Sequence, residues 1–418
     1  MGLTQEQIAI IKATVPVLQI HGKTITTVFY KNMLAAHPEL NTVFNTANQV
    51  NGHQPVALAG ALFAYASNID NLGALSPAVE LICHKHASLY IRPEHYKIVG
   101  KYLLEAMGEV LGDALTPQIH DAWGAAYWQL ADIMINREAD LYKEADGWTD
   151  FREFRIAKKV PESSEITSFY LEPVDGKPLP SFRPGQYISV EVFVSELNYP
   201  QSRQYSLSDK PVPEYYRISV KKEAGLEPTE PSAKRHPGYV SNVLHDLKKE
   251  GDIVRVSHPF GDFFLSDEEK QSSSPIVLLA AGVGLTPLTS ILNTILDGPE
   301  AQTQRKITYA HGARTSAARA FRPQIKELAA KVPNLHAIFF TSLPGAEEKQ
   351  GEDYDVAGRL DVNQLDKQKD LYLDDATTKY YICGPTAFML DVKQKLTAAG
   401  VADDRIKMEL FGTGGIPA

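Results

Sequence analysis

Cysteine is scarce: only Cys83 and Cys383 occur among 418 residues. Two such distant thiols cannot form a disulfide framework, and they suit a reducing compartment, so the cytoplasm is the expected location. Long apolar runs are missing too. Even Pro275 to Leu288 is short and broken by glycine, below the roughly 18 residues of a membrane span. The start, Met1-Gly2-Leu3-Thr4-Gln5-Glu6, lacks the basic and apolar regions of a signal peptide. With Glu6 in place of Ser or Thr it also departs from a myristoylation pattern. Basic residues are in deficit, 42 Lys and Arg against 51 Asp and Glu for a net charge of -9, which provides no electrostatic footprint for nucleic acid or an anionic membrane. Internal repeats and low-complexity tracts are absent.

The remainder is ordinary for soluble protein, with 44% hydrophobic and 22% charged residues. The length exceeds what one core supports, and three patterns follow one another. Residues 1–146 read as helices, opened by Thr4 and punctuated by Pro38, Pro77, Pro93 and Pro117. Residues 147–266 carry the alternating runs Phe154 to Val160, Ile166 to Glu172, Tyr187 to Val194, Tyr216 to Lys221 and Ile253 to Val256, which predict an antiparallel β-barrel. Residues 267–418 alternate strand and helix, as in Ile276 to Ala280, Thr286 to Leu296, Lys306 to His311 and Phe321 to Lys331. Such alternation predicts an α/β domain with a parallel sheet. Leu265 to Ser274 reads as a solvated linker, and Ala224 to Pro237 as a surface loop.

Within the helical part, Val79, Ile82, Cys83 and His86 recur at helical spacing, so His86 continues an apolar stripe while His84 points away. Alone, such a histidine is better read as a core residue bonded to a carbonyl. Two other stripes argue for more. Trp123, Tyr127, Leu130, Met134, Glu138 and Leu141 share a face that places a carboxylate among apolar residues, and Tyr96 opens the stripe of Val99, Leu103, Met107 and Val110. A histidine, a tyrosine and a carboxylate turned inward can orient a metal-bound imidazole and make it more electron-donating. Opposite them, Tyr30, Phe44, Gln54 and Leu58 combine two apolar groups with a phenol and an amide able to donate to a polar diatomic ligand.

Arg203-Gln204-Tyr205-Ser206 alternates faces on a strand. Arginine suits a diphosphate, tyrosine a flat ring, and serine a ring nitrogen. Tyr187 adds an aromatic upstream, and Gly238-Tyr239-Val240-Ser241-Asn242 precede an amphipathic helix whose N-terminal amides can hold a pyrophosphate. Gly282-Val283-Gly284-Leu285-Thr286-Pro287 joins a strand to a helix, with Thr286 as expected N-cap and Pro287 in the first turn. Pro287 stands where a Rossmann fingerprint has its last glycine. Cys383-Gly384-Pro385 forms a second strand-to-helix turn at the same crevice, and Cys383 is read as a packed residue, not a nucleophile. No acidic residue ends the strand Lys306 to His311. Arg314 and Arg319 follow instead, which leans toward NADPH and leaves NADH open.

These stretches together resemble the flavohaemoglobin family, a globin fused to a ferredoxin-reductase-like module. The globin resemblance is carried by Phe29-Tyr30-Lys31-Asn32-Met33, Val43-Phe44-Asn45, Asn51-Gly52-His53-Gln54, Lys85-His86, Ile98-Val99-Gly100 and Ile135-Asn136-Arg137-Glu138-Ala139. The resemblance implies His86 as the iron ligand of haem b, Tyr96 and Glu138 as its partners, Tyr30 and Gln54 as distal oxygen contacts, and Phe44 and Leu58 packed on the haem. Lys85 would face an FAD held by Tyr187, Arg203, Gln204, Tyr205, Ser206, Val240 and Ser241. The Gly282 to Pro287 turn, Cys383, Gly384 and Pro385 would hold NAD(P)H, with Phe411, beside Gly412, covering the flavin and Glu409 near it. The implied activity is that of a monomeric nitric oxide dioxygenase, converting nitric oxide and O2 to nitrate. An oxygen-storing or oxygen-sensing globin and a haem-independent flavin reductase remain as alternatives. This sequence departs from the family's bacterial members in its longer Ala224 to Pro237 loop, in Arg319-Ala320-Phe321 and in the tail Gly412-Thr413-Gly414-Gly415.

Overall fold

Thr4 opens the first helix as a capping box: its hydroxyl accepts the Gln7 amide, and the Gln7 side chain accepts the Thr4 amide. Helices α1 (Gln5–Ala13), α2 (Val15–Ala36), α3 (Thr46–Val50), α4 (His53–Ser67), α5 (Ser76–Ser88), α6 (Pro93–Leu111) and α7 (Pro117–Glu144) follow. Proline in the first turn starts α5, α6 and α7, where its missing N–H removes no helical bond. The computed structural model describes residues 2–224, 238–298 and 304–412. Residues 225–237 of the expected Ala224 to Pro237 loop and the tail beyond Gly412 lie outside them. Ile25, Phe29, Met33, Leu103, Met107 and Trp123 form the helical core. Helices α6 and α7 approach closely at Gly100, where a Cβ would stand 2.5 Å from the Tyr127 ring. Tyr127 in turn donates its hydroxyl to the Tyr96 carbonyl at 2.5 Å.

Strands β1 (Arg152–Pro161), β2 (Ile166–Pro173), β3 (Tyr187–Val194), β4 (Tyr199–Ser206), β5 (Tyr216–Lys221) and β6 (Ile253–Val256) form an antiparallel sheet in the order β4-β3-β6-β1-β2-β5. Its edges meet through a Leu207–Ile218 bridge and a 2.8 Å bond from the Ser208 amide to the Arg217 carbonyl, so the sheet closes into a barrel. Phe154, Ile156, Phe169, Ile188 and Val190 fill its interior. The helix expected after Asn242 starts earlier and is short: α8 (Tyr239–Asn242) passes into one wide turn ending at Leu247, and Val240 and Leu244 plug the barrel.

The third unit comprises α9 (Asp267–Gln271), β7 (Ile276–Ala281), α10 (Leu285–Leu296), β8 (Ile307–Ala313), α11 (Arg322–Lys331), β9 (Leu335–Thr341), β10 (Val356–Ala357), β11 (Lys379–Cys383), α12 (Thr386–Ala398) and β12 (Ile406–Glu409). The strands are parallel in the order β10-β9-β8-β7-β11-β12. Every residue from Ile276 to Ala280 is fully buried, as a strand covered on both faces requires. The expected solvated linker is corrected by this unit. Residues 267–271 form a capped helix whose Glu269 carboxylate accepts from Lys407 at 2.6 Å and from Tyr381 at 2.7 Å, tying the segment to the sheet.

No helix among the described residues is long and apolar enough to cross a membrane. The helical unit and the barrel are joined by polar contacts. Gln201 of β4, fully buried, donates to the carbonyls of Asn41 (2.6 Å) and Phe44 (3.1 Å) and accepts the Thr46 amide (3.1 Å). Gln204 donates to Ser88 Oγ at 2.8 Å, and the His258 amide donates to the Tyr90 hydroxyl at 3.0 Å. Gln201→Ala orphans three backbone groups, each worth roughly 1–3 kcal/mol when left unpaired. Amide exchange in the segment 41–46 should therefore accelerate at least about tenfold by mass spectrometry, and unchanged protection would show that this side chain does not hold the interface.

Candidate functional site

Three helices converge on His86. Its Nδ1 lies 2.8 Å from Glu138 Oε1 of α7 and 3.0 Å from the Tyr96 hydroxyl of α6, and Tyr96 donates to the same carboxylate oxygen at 2.6 Å. Glu138 is 3% exposed, whereas the His86 side chain is 33% exposed. Nδ1 is thus committed to the carboxylate, and Nε2 is the ring nitrogen left for a ligand. The neighbouring Arg137 grips Glu80 of α5 at 2.6 Å, which fixes the two helices that carry histidine and carboxylate. Burial, and then the nearby Glu138 charge, holds the Tyr96 phenol far above its ordinary pKa, so it remains a proton donor.

Between α2 and α4 Gln54 donates to the Tyr30 oxygen at 3.3 Å, and no described residue accepts the Tyr30 hydrogen. Burial pushes the Tyr30 pKa up to about 12, only partly offset by Gln54, so the phenol is protonated at any physiological pH. Phe44 meets the Tyr30 ring edge-on at 5.5 Å. Leu58, on the same helix as Gln54, is half-buried against the helical core. The Thr26 hydroxyl donates to the Pro55 carbonyl at 2.8 Å and pins α4 to α2 beside this pair.

On the barrel, Tyr187 is buried beside Gly261, where a Cβ would stand 2.9 Å from the Tyr187 ring. Tyr205 packs on the barrel core, and Ser206 Oγ and Asn242 Oδ1 are buried without a hydrogen-bond partner among the described residues. Arg203 turns toward the helical unit and donates to Asn45 Oδ1 at 2.5 Å. The Ser241 hydroxyl accepts the Glu223 amide and donates to the Gly238 carbonyl, closing the turn ahead of α8.

In the parallel sheet the strand order reverses between β7 and β11, and the two expected turns meet there. A Cβ on Gly284 would lie 2.2 Å from the Cys383 carbonyl oxygen, and one on Gly384 3.1 Å from the Ala281 carbonyl oxygen, so backbone packs on backbone. Gly282 has φ +57°. Thr286 is not the N-cap: α10 begins at Leu285, and the Thr286 hydroxyl donates back to the Val283 carbonyl at 3.1 Å. Pro287 sits in the first turn as expected. His311, overlooked in the sequence, is buried with Nε2 on the Gly282 carbonyl at 3.0 Å. Burial depresses its pKa to about 4, so it is a neutral clamp on the loop. Burial, with Glu409 nearby, holds the Cys383 thiol well above its ordinary pKa, which suits packing and not nucleophilic attack.

The three units meet around Glu409. Lys85 of α5 donates to the Gly412 carbonyl at 2.7 Å, while His84, beside it, accepts the Gly261 amide at 3.0 Å. Asp262 and Glu409 come from the other two units. Phe411 is 43% exposed just beyond. Burial, and then Asp262, pushes the Glu409 carboxyl up to about 8, against the opposing pull of Lys85. Asp262, Gln201 and His84 carry no motif, since their partners lie far away in sequence.

This arrangement defines a class: an inward-facing histidine site in an all-α unit, joined to a β-barrel and to a parallel-sheet unit with a dinucleotide-type crevice. A globin family model matches residues 27–134, and an oxidoreductase NAD-binding domain model matches residues 278–394. The chain is 47% identical over 419 residues to the flavohemoprotein of Bordetella parapertussis, covering 99% of this chain and 100% of the relative. It is 45% identical over 414 residues to that of Bacillus subtilis, covering 98% of each. Among solved structures, the flavohemoglobin from Malassezia yamatoensis with bound FAD and heme superposes with a TM-score of 0.83 at 29% identity, over 99% of this chain and 100% of that one. The FAD/NAD-binding domain of nitric oxide dioxygenase from Vibrio cholerae matches at 33% identity and a TM-score of 0.53, over 63% of this chain and 99% of that one. The chain belongs to the flavohemoprotein family.

Glu409 supplies a pH test. Its raised pKa means that folding takes up a proton between the ordinary value of 4.5 and about 8, so its contribution to stability falls as pH rises through that window and levels off above it. The melting temperature of Glu409→Gln relative to the parent should rise from about pH 5 to about pH 8 and then plateau. A difference that does not change with pH would contradict the burial of this carboxyl.

Proposed function

We propose that the chain is an NAD(P)H-driven nitric oxide dioxygenase that forms nitrate from nitric oxide and O2. The observation that carries this reading is the His86–Glu138–Tyr96 set, together with the Tyr30–Gln54 pair in the same helical unit and a reductase-type crevice on the same chain. The residues suit the groups the family implies. The His86 Nδ1 is engaged and Nε2 is left for iron, the Ser206 and Asn242 oxygens are buried without partners among the described residues, Gly282 takes a positive φ, and Gly284 has no room for a side chain against the Cys383 carbonyl. His86 would hold haem, with Phe44 and Leu58 against it. Tyr187, Arg203, Gln204, Tyr205, Ser206, Val240 and Ser241 would hold FAD. Gly282 to Pro287 with Cys383, Gly384 and Pro385 would hold NAD(P)H, with Glu409, Phe411 and Gly412 where nicotinamide meets flavin. We place the domains at 1–146, 147–266 and 267–418, and propose a cytoplasmic monomer that takes small-molecule substrates and no nucleic acid.

When bound, these groups supply hydride, its division into single electrons, and an iron centre for oxygen chemistry. The protein's own part is electrostatic and geometric. Glu138 orients the imidazole and raises its basicity, while Tyr96, kept protonated, fixes the carboxylate. The Tyr30 hydroxyl, oriented by Gln54, offers a hydrogen bond where negative charge develops on a bound diatomic, which a purely apolar pocket cannot do. That donor pair disfavours a simple storage role.

The purified protein should show a Soret band together with flavin absorption. His86→Ala should lose the Soret band and nitrate formation while keeping NAD(P)H-dependent ferricyanide reduction. Nitrate formation by that variant at the parental rate would overturn the reading and favour a haem-independent flavin reductase.

A further inference from the structure

Nicotinamide must meet flavin on the β11–β12 side of the switch point, where Glu409 and Phe411 stand. The other half of a dinucleotide whose pyrophosphate lies on Gly282 to Gly284 therefore runs the opposite way, over the end of β8, the neighbour of β7 on that side. Strands lie about 4.8 Å apart, so the adenosine ribose falls on the residues just after Ala313. These are Arg314, Thr315 and Ser316. Arg314 is exposed, and its guanidinium has no hydrogen bond or ion pair among the described residues. The carboxylate that would bind a ribose diol does not end this strand.

Two further features mark the place. The Leu343 amide donates to the Arg314 carbonyl at 2.8 Å, which sets Leu343 beside Arg314, and Leu343 is 62% exposed, an apolar surface that the core does not use. Leu360 abuts Gly312, so the exposed Arg359 flanks the same strand end. Arg319, the other arginine expected to take a phosphate, is excluded: it is buried and donates to the Phe340 carbonyl at 2.7 Å and to Thr341 Oγ1. The Glu348 carboxylate accepts from Ser316 Oγ and from the Gly345 amide, both at 3.0 Å, and is the competing group for an unphosphorylated ribose.

We propose that Arg314, flanked by Arg359, binds the 2′-phosphate of NADPH, with Leu343 against the adenine, and that this makes the chain NADPH-selective. The inference rests on the dinucleotide-reductase reading above. A guanidinium matches a phosphate with paired, charge-assisted hydrogen bonds. Calorimetry on the holoprotein with adenosine 2′,5′-bisphosphate and with 5′-AMP should show the bisphosphate binding at least about tenfold more tightly. Arg314→Glu should abolish that discrimination, Arg314→Lys should keep part of it, and the NADPH-to-NADH ratio of kcat/KM should fall with it, mainly through KM. Equal affinity of the parent for both nucleotides, or undiminished discrimination in Arg314→Glu, overturns the assignment. If NADH then reduces the flavin and nitrate still forms, the dioxygenase reading stands without it. If neither nucleotide reduces the flavin, that reading falls as well.

Discussion

A carboxylate buried inside a helical bundle is costly unless donors surround it, and Glu138 is placed so that two donors do. Charge-assisted bonds of this kind contribute about 1.5–3 kcal/mol each, enough to offset the loss of water. The donors come from different helices, Tyr96 on α6 and His86 on α5, so satisfying one oxygen fixes three helices at once. The Gly100–Tyr127 contact and the Glu80–Arg137 pair serve the same constraint, bringing α6 and α5 onto α7. The imidazole that results is oriented by the fold before any ligand arrives.

The second constraint is that the two chemistries share one junction. Helix α5 carries His86 on one face and Lys85 and His84 toward the barrel, where they meet Gly261, Asp262 and Gly412. A flavin held by the barrel would thus share this junction with the helix that carries His86. Gln201, Gln204 and Tyr90 close the seam with hydrogen bonds that exclude water from the backbone they cover.

Much of this was legible from periodicity. His86 and Glu138 stood out because each interrupts an apolar helical stripe, and the barrel strands followed from alternation in Tyr187 to Val194 and Ile166 to Glu172. What escaped is what periodicity cannot encode. Gln201 looks like any polar strand residue, since its three partners lie some 155 residues away. Residues 265–274 have a linker's composition because Glu269 finds Lys407 and Tyr381 only once the sheet is assembled. Thr286 fitted a cap by residue type, but the helix starts one residue earlier and its hydroxyl turns back to Val283. Arg319 and Arg314 are alike in sequence, and only burial separates the structural cation from the exposed one.

The proposed role of His86 requires that the Glu138 carboxylate, supported by Tyr96, make its imidazole more electron-donating toward iron. The most direct measurement is the iron–imidazole stretching frequency of the ferrous protein by resonance Raman spectroscopy. Glu138→Gln should lower that frequency clearly and Tyr96→Phe less so. A frequency unmoved by Glu138→Gln would show that the carboxylate does not polarise the imidazole, and the account would fail.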